Sequence, residues 1–230
     1  MARLTGYGQF CPLAKASEVF AERWTPLILR EVMIGSTRFS DIQRGVPLIS
    51  RSLLSKRLQD LVRAGVLQRV DSGKGYDEYL MTAAGEDLRP IIFQLGAWGK
   101  QWTRRELPAG DLDVSLLMWD MRRRVNRSGL PERRVVVQFQ YRDAPIHRRR
   151  WWLVLNRDDI DLCVVDPGLE ADVTVRTDVR TMVGIWMGDL SFGAALQGRA
   201  LEIEGPAEMR TRFPAWLLLS HFAEIDRRVD

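Results

Sequence analysis

Residues 50–64 read Ser50-Arg51-Ser52-Leu53-Leu54-Ser55-Lys56-Arg57-Leu58-Gln59-Asp60-Leu61-Val62-Arg63-Ala64. Leu54, Leu58, Leu61 and Val62 recur at helical spacing and mark a stripe that faces a core. The other face presents Arg51, Ser52, Ser55, Lys56, Gln59 and Arg63, and no acid precedes Asp60. Ser50 is a good helix cap and Gly65 a good stop. A helix that starts with cations and hydroxyls suits a DNA major groove. Side chains of its first two turns reach base edges, and its N-terminus favours phosphate. A merely solvated helix face has the same composition, so the neighbouring elements must decide.

Those neighbours are informative. A short helix, Asp41 to Arg44 with Ser40 as its cap, precedes across the turn Gly45-Val46-Pro47. Two β-type segments follow, Val66 to Val70 and Tyr76 to Met81, flanking the flexible tip Asp71-Ser72-Gly73-Lys74-Gly75. Arg38, Arg44 and Lys74 add positive charge on both sides. Helix, turn, helix and hairpin together describe a winged helix-turn-helix. The candidates for base or phosphate contact are Ser50, Arg51, Ser52, Ser55, Lys56 and Arg57, with Arg38 and Lys74 as backbone anchors. Upstream, Leu13 to Ala21 has helical spacing. A second helix starts at Thr25-Pro26, with Thr25 as cap and Pro26 in the first position, and ends near Gly35. Downstream of Thr82, one helix carries Leu88, Ile91, Ile92, Leu95, Trp98 and Trp102 as a broad apolar stripe.

Residues 7–102 resemble the HxlR family of bacterial winged-helix transcription regulators. The matching stretches begin with Cys11-Pro12-Leu13, Arg23-Trp24-Thr25-Pro26-Leu27-Ile28-Leu29 and Thr37-Arg38-Phe39-Ser40-Asp41-Ile42. They continue with Ile49 to Leu58, Leu61 to Leu67, Tyr79 to Gly85 and Trp98-Gly99. Where the family usually has a Pro before the second wing strand, this chain has Gly75-Tyr76-Asp77. The resemblance implies a homodimer built on the N-terminal and late helices of the domain, a role that the Leu88–Trp102 stripe fits. Two-fold symmetry would then place the recognition helices on successive major grooves of an inverted repeat, about 34 Å apart.

The charge distribution agrees with this division of labour. The chain has 230 residues and a net charge of +4. Residues 1–105 hold 16 Lys/Arg against 10 Asp/Glu, whereas residues 106–230 hold 18 against 20. Positive charge is thus concentrated where a polyanion would bind. Arg outnumbers Lys by 30 to 4 over the whole chain, and the excess runs through both halves, which fits codon bias better than function. Leu107-Pro108-Ala109-Gly110-Asp111 is the expected linker, dividing the chain into domains 1–106 and 112–230. The expected fold class is α+β: a mostly α winged helix-turn-helix with a β-hairpin wing, then a second α+β domain.

In that second half, Leu112 to Val125 reads as a helix. Strands are expected at Val135 to Tyr141, Trp151 to Leu155, Ile160 to Val165, Val173 to Val175 and Leu201 to Ile203. A long apolar helical region covers Val179 to Leu196, and Pro206 opens a closing helix. Residues 112–230 resemble a sterol-carrier-protein-2-like domain, through Ala171 to Val175, Gly188-Asp189-Leu190-Ser191 and Ala194 to Gly205. That resemblance implies a lipid-binding fold. Trp119, Trp151, Trp152, Trp186, Met187, Phe192 and Trp216 are the candidate lining of a pocket for a hydrophobic small-molecule effector. The same residues could equally fill a core.

Other chemistries find little support. His147 and His221 are the only histidines, with no HExxH or paired Cys/His spacing for zinc. No GxSxG elbow or phosphate-binding glycine loop is present, and Gly6-Tyr7-Gly8 and Gly73-Lys74-Gly75 lack a dinucleotide-site context. The chain is therefore read as a non-enzyme without catalytic residues, metal or cofactor. No run free of Asp, Glu, Lys and Arg is longer than 11 residues, the length of Leu4–Ala14, against about 20 needed for a bilayer span. With no signal-peptide pattern, a cytoplasmic, nucleoid-associated protein without a membrane partner is expected. Cys11 is the redox candidate. Some HxlR-like regulators sense oxidants or quinones through a cysteine near this position, and Arg3 and Lys15 are close in sequence. Regulation by thiol oxidation is the alternative to regulation by a hydrophobic ligand.

Overall fold

The computed structural model describes residues 6–103 and 107–228. Packing divides the chain into two compact units, Met1–Gly96 and Ala97–Asp230. The first contains α1 (Pro12–Phe20), α2 (Thr25–Met33), α3 (Phe39–Gly45) and α4 (Arg51–Arg63). An antiparallel hairpin of β1 (Leu67–Asp71) and β2 (Asp77–Met81) follows, then α5 (Ala83–Glu86) and α6 (Arg89–Trp102). The division between units falls inside α6, upstream of the segment 107–111 that composition marks as a linker. Ile28, Leu29 and Val32 of α2 meet Ile42 of α3, Leu54, Leu58 and Leu61 of α4, and Leu67 of β1 in one core. Burying one such side chain stabilises by about 1.5–3 kcal/mol, so the leucine stripe fixes which face of α4 turns inward.

Three local expectations are corrected. Thr25 is the first residue of α2, and the cap position belongs to Trp24 in a left-handed conformation, φ 77°. Trp24 packs against the unit's core, and Thr25 is itself buried, so tertiary contacts override the local cap preference. α3 begins at Phe39, capped by Arg38, so Ser40 lies within it. Phe39 packs against the core and draws the first turn back to itself. The single helix expected after Thr82 is two. Thr82 caps α5 by accepting from the Gly85 N–H at 3.1 Å. Pro90 has no N–H for the Glu86 carbonyl, and the helix restarts with it in the first turn.

The second unit continues with a 3₁₀ turn at Ala109–Asp111, then α7 (Val114–Arg123), β3 (Val135–Tyr141), β4 (Arg150–Leu155) and β5 (Ile160–Cys163). There follow β6 (Val173–Thr177), α8 (Val179–Trp186), α9 (Phe192–Gln197), β7 (Glu202–Glu204) and α10 (Ala207–Arg212). The five strands lie in the order β5-β4-β3-β6-β7, with β3 and β6 parallel and the other neighbours antiparallel. Val135, Val137, Phe139 and Tyr141 point from one sheet face into a core with Met118 and Met121 of α7 and Met182 and Ile185 of α8.

The region 179–196 is not one helix. Gly188 stands between α8 and α9 at φ 76°, and the Ala223 carbonyl lies where its Cβ would be. Val164 and Val165, expected in a strand, lie beyond the end of β5 and are exposed. Among the described residues no helix is long and apolar enough to cross a membrane.

Asp189 is gripped by two cations of the same unit. Lys100 donates to it and, at 2.8 Å, to the Met187 carbonyl. Arg227 reaches it through Nε and Nη2 at 2.9 and 3.0 Å. Partial burial pushes the Asp189 carboxyl up, but hydrogen bonds from Arg227 and Lys100 outweigh this and hold it below the ordinary aspartate value. Its stabilising effect is therefore present above the ordinary aspartate range and lost as pH falls through the depressed folded value. Asp189→Asn is expected to cost about 3 kcal/mol at neutral pH, read from urea unfolding. The difference from wild type should shrink in strong acid. An unchanged midpoint at pH 7 contradicts this role.

Candidate nucleic-acid interface

The interface is built from the inside outward. Glu31 of α2 is fully buried, paired with Arg30 at 2.8 Å and bonded by the Ser36 hydroxyl at 3.3 Å. Arg30 also donates to the Gly45 carbonyl at 2.9 Å, tying the end of α3 to α2. Gly45 lies against the Glu31 carboxylate with no room for a Cβ. Val46 and Ile49 are buried in the turn that follows, and they set the entry of α4. Ser50 caps α4 as its sequence predicts, accepting from the Leu53 N–H at 3.3 Å.

With Leu54, Leu58 and Leu61 turned inward, Ser50, Arg51, Ser52 and Lys56 are exposed at the first turns of α4 and Ser55 is half-buried beside them. The Ser50 and Ser52 hydroxyls lie 3.3 Å apart. Among the described residues no carboxylate pairs with Arg51 or Lys56. The cations after them differ. Arg57 is bound to Glu22 and lies 3.6 Å from Asp60, and Arg63 pairs with Asp60. Unpaired positive charge on α4 is thus confined to the end where the helix dipole is also positive. Arg57 does not join the other candidates: its side chain is only 16% exposed and turns toward the α1–α2 connection.

The remaining anchors sit on the hairpin side. Lys74 is exposed at the tip, between Gly73 and Gly75 at φ 69° and 80°, a backbone that glycine adopts without strain. Arg38 stacks over the Tyr76 ring at 4.0 Å from its centroid and also bonds the Tyr76 hydroxyl. The backbone there extends the hairpin, with Tyr79 N–H donating to the Thr37 carbonyl at 2.8 Å and Arg38 bridged to Glu78. Tyr76, in the Gly75-Tyr76-Asp77 stretch, is therefore a strut for Arg38. Sequence reasoning missed Phe39 and Gln43, which contact the Arg51 guanidinium, as well as Tyr76 and Glu22. Only Tyr76 carried a signal, as a departure from the family's wing pattern.

Residues 19–107 match the HxlR-like helix-turn-helix family. An HTH-type transcriptional regulator of Bacillus subtilis, YvaP, is 34% identical over 97 residues, covering 41% of this chain and 90% of that one. The chain belongs to the HxlR-like helix-turn-helix family. Another HTH-type transcriptional regulator, Rv3095 of Mycobacterium tuberculosis, is 41% identical over 95 residues, with 40% of this chain and 60% of that one covered. Among solved structures, the reduced form of the transcriptional regulator YodB from B. subtilis aligns at 25% identity over 43% of this chain and 100% of that one, TM-score 0.37. The family match takes in α2 to α6 and the hairpin, and so every candidate described above.

The other candidates are placed as follows. Ile91, Leu95, Trp98 and Trp102 are exposed along one face of α6, while Ile92 is buried. Cys11 is an exposed free thiol at the cap position of α1. Lys15 pairs with Glu18 at 3.1 Å, and Arg3 lies outside the described residues. Trp151, Trp186 and Trp216 share the core of the second unit, with Met187 and Phe192 partly buried against it. Trp152, adjacent to Trp151 on β4, takes the opposite sheet face. Trp119 is buried beside the Arg122 and Arg123 guanidinium groups, each 5.3 Å from its ring.

Removing the cap in Ser50→Ala should cost about 1 kcal/mol of stability. Arg51→Ala, on the exposed face, should stay within about 0.5 kcal/mol of wild type. Thermal unfolding of the two variants separates the framework from the contact surface. Equal losses would contradict the placement.

Proposed function

We propose that the chain is a transcription repressor that binds an inverted-repeat operator as a homodimer, inserting the start of α4 into the major groove of double-stranded DNA. The observation that carries this is the charge asymmetry of α4. Arg51 and Lys56 are exposed without a carboxylate among the described residues, while Arg57 and Arg63 are paired. Ser50, Ser52 and Ser55 add hydroxyls to the same end, and Arg38 and Lys74 offer phosphate contacts from the hairpin side. The exposed face of α6, with Leu13 of α1 and the preceding Tyr7 and Phe10, is the dimer surface of this reading. Its site of action is the cytoplasmic nucleoid, and it performs no catalysis and uses no cofactor.

The test uses duplexes enriched by the full chain from a random pool. Arg51→Ala combined with Lys56→Ala should abolish retardation of the enriched duplex while the thermal unfolding profile is kept. Each lost phosphate contact should lower the salt slope by about one unit. Unchanged binding by the double variant refutes the assignment.

The second unit is proposed as a sterol-carrier-protein-2-like effector domain. The order of its strands and helices after α7 supports this, as does one polar atom. The indole N–H of the fully buried Trp216 has no hydrogen-bond partner among the described residues, although Phe213 meets its ring edge-on at 6.0 Å. A hydrophobic ligand carrying a carbonyl would satisfy that donor. Such a ligand regulates DNA binding only through unequal affinity for two states of the dimer. A panel of fatty acids and flat aromatic ketones is expected to contain a compound that changes tryptophan fluorescence and operator affinity together. Absence of both effects refutes the effector reading. The alternative, oxidation of the exposed Cys11 thiol, requires that Cys11→Ser lose peroxide-induced release from DNA.

A further inference from the structure

The start of α4 holds one side chain in a fixed direction. The Arg51 guanidinium carbon lies 5.1 Å from the centroid of the Phe39 ring, and its Nη1 donates to Gln43 Oε1 at 3.2 Å. Phe39 is half-buried against the core, and both supports belong to α3, which Arg30 and Gly45 tie to α2. The guanidinium is therefore held by a ring and by a hydrogen bond before any ligand arrives, which lowers the ordering cost of contact. A guanidinium has five N–H donors, and one of them is used here. Two parallel donors remain for a planar acceptor pair.

Two kinds of acceptor on a duplex could take them: a phosphate, or the O6 and N7 of guanine. A phosphate contact tolerates a mobile cation, and the same helix face already offers one in Lys56. A base edge demands a fixed plane and direction, and the first residues of a recognition helix are those that reach base edges. We propose that Arg51 reads a guanine in each operator half-site, with Phe39 and Gln43 as the positioning residues that aim it. This rests on the DNA-binding reading above and adds the base and the support.

The experiment is selection from a random duplex pool by the wild-type chain, Arg51→Ala, Arg51→Lys, Phe39→Leu, Phe39→Tyr and Gln43→Ala. It is followed by gel retardation of the enriched duplex and of its single-base variants at several salt concentrations. Wild type should enrich one guanine per half-site, with a preference of roughly tenfold to a hundredfold over other bases there. Arg51→Ala and Arg51→Lys should lose that preference and keep the rest of the sequence pattern. Phe39→Leu and Gln43→Ala should weaken the preference at the same position with an unchanged salt slope, Phe39→Tyr should restore it, and Gln43→Ala should add nothing in the Arg51→Ala background. Should Phe39→Leu fail to fold, the change Gln43→Ala, at a half-buried polar position, still decides. A guanine preference that survives in Arg51→Ala, with only a lower salt slope, makes Arg51 a phosphate contact and overturns the proposal. Additive effects of Gln43→Ala and Arg51→Ala overturn the positioning role. Failure of the wild type to enrich any sequence overturns the DNA-binding reading itself.

Discussion

Burial of Leu54, Leu58 and Leu61 fixes the rotation of α4 about its own axis. Turning the helix by one residue's arc would bring all three into water, at about 1.5–3 kcal/mol each. The outward face is consequently set by the core and not by its own polar residues, which can be chosen for contact with a partner. Arg51, Ser52 and Lys56 sit on that free face, while Arg57, closer to the core edge, is held by Glu22. Framework and contact surface are thus separated along a single helix.

A second constraint sets where that helix begins. The buried Glu31 carboxylate needs partners, because an unpaired buried charge is costly. Arg30 and Ser36 supply them, and Arg30 extends the same network to the Gly45 carbonyl. The helix pair preceding the turn is therefore locked by polar contacts as well as by packing. Phe39 and Gln43, which contact the Arg51 guanidinium, lie on the locked element.

Much of the helix-turn-helix was legible because its signals are local. The Ser50 cap, the leucine period and Gly65 lie within sixteen consecutive residues, and α4 forms between them as expected. The hairpin strands were legible for the same reason. What was not legible depends on residues distant in sequence. Trp24 takes a left-handed backbone against its own preference because the core receives its ring. Gly188, in the break between α8 and α9, lies against the Ala223 carbonyl, far along the chain. The ties of Arg57 to Glu22 and of Arg38 to Tyr76 join residues that no periodicity connects. In the second unit, alternation correctly separates Trp151 from Trp152, yet aromatic composition alone does not distinguish a filled core from a ligand site.

The central claim is that only the first turns of α4 enter the groove. A photoreactive residue placed at position 52, and in a separate chain at position 63, tests it directly on the enriched duplex. Adducts with major-groove bases are expected from position 52 and none with bases from position 63. Equal base labelling from the two positions, or labelling from position 63 alone, would contradict it.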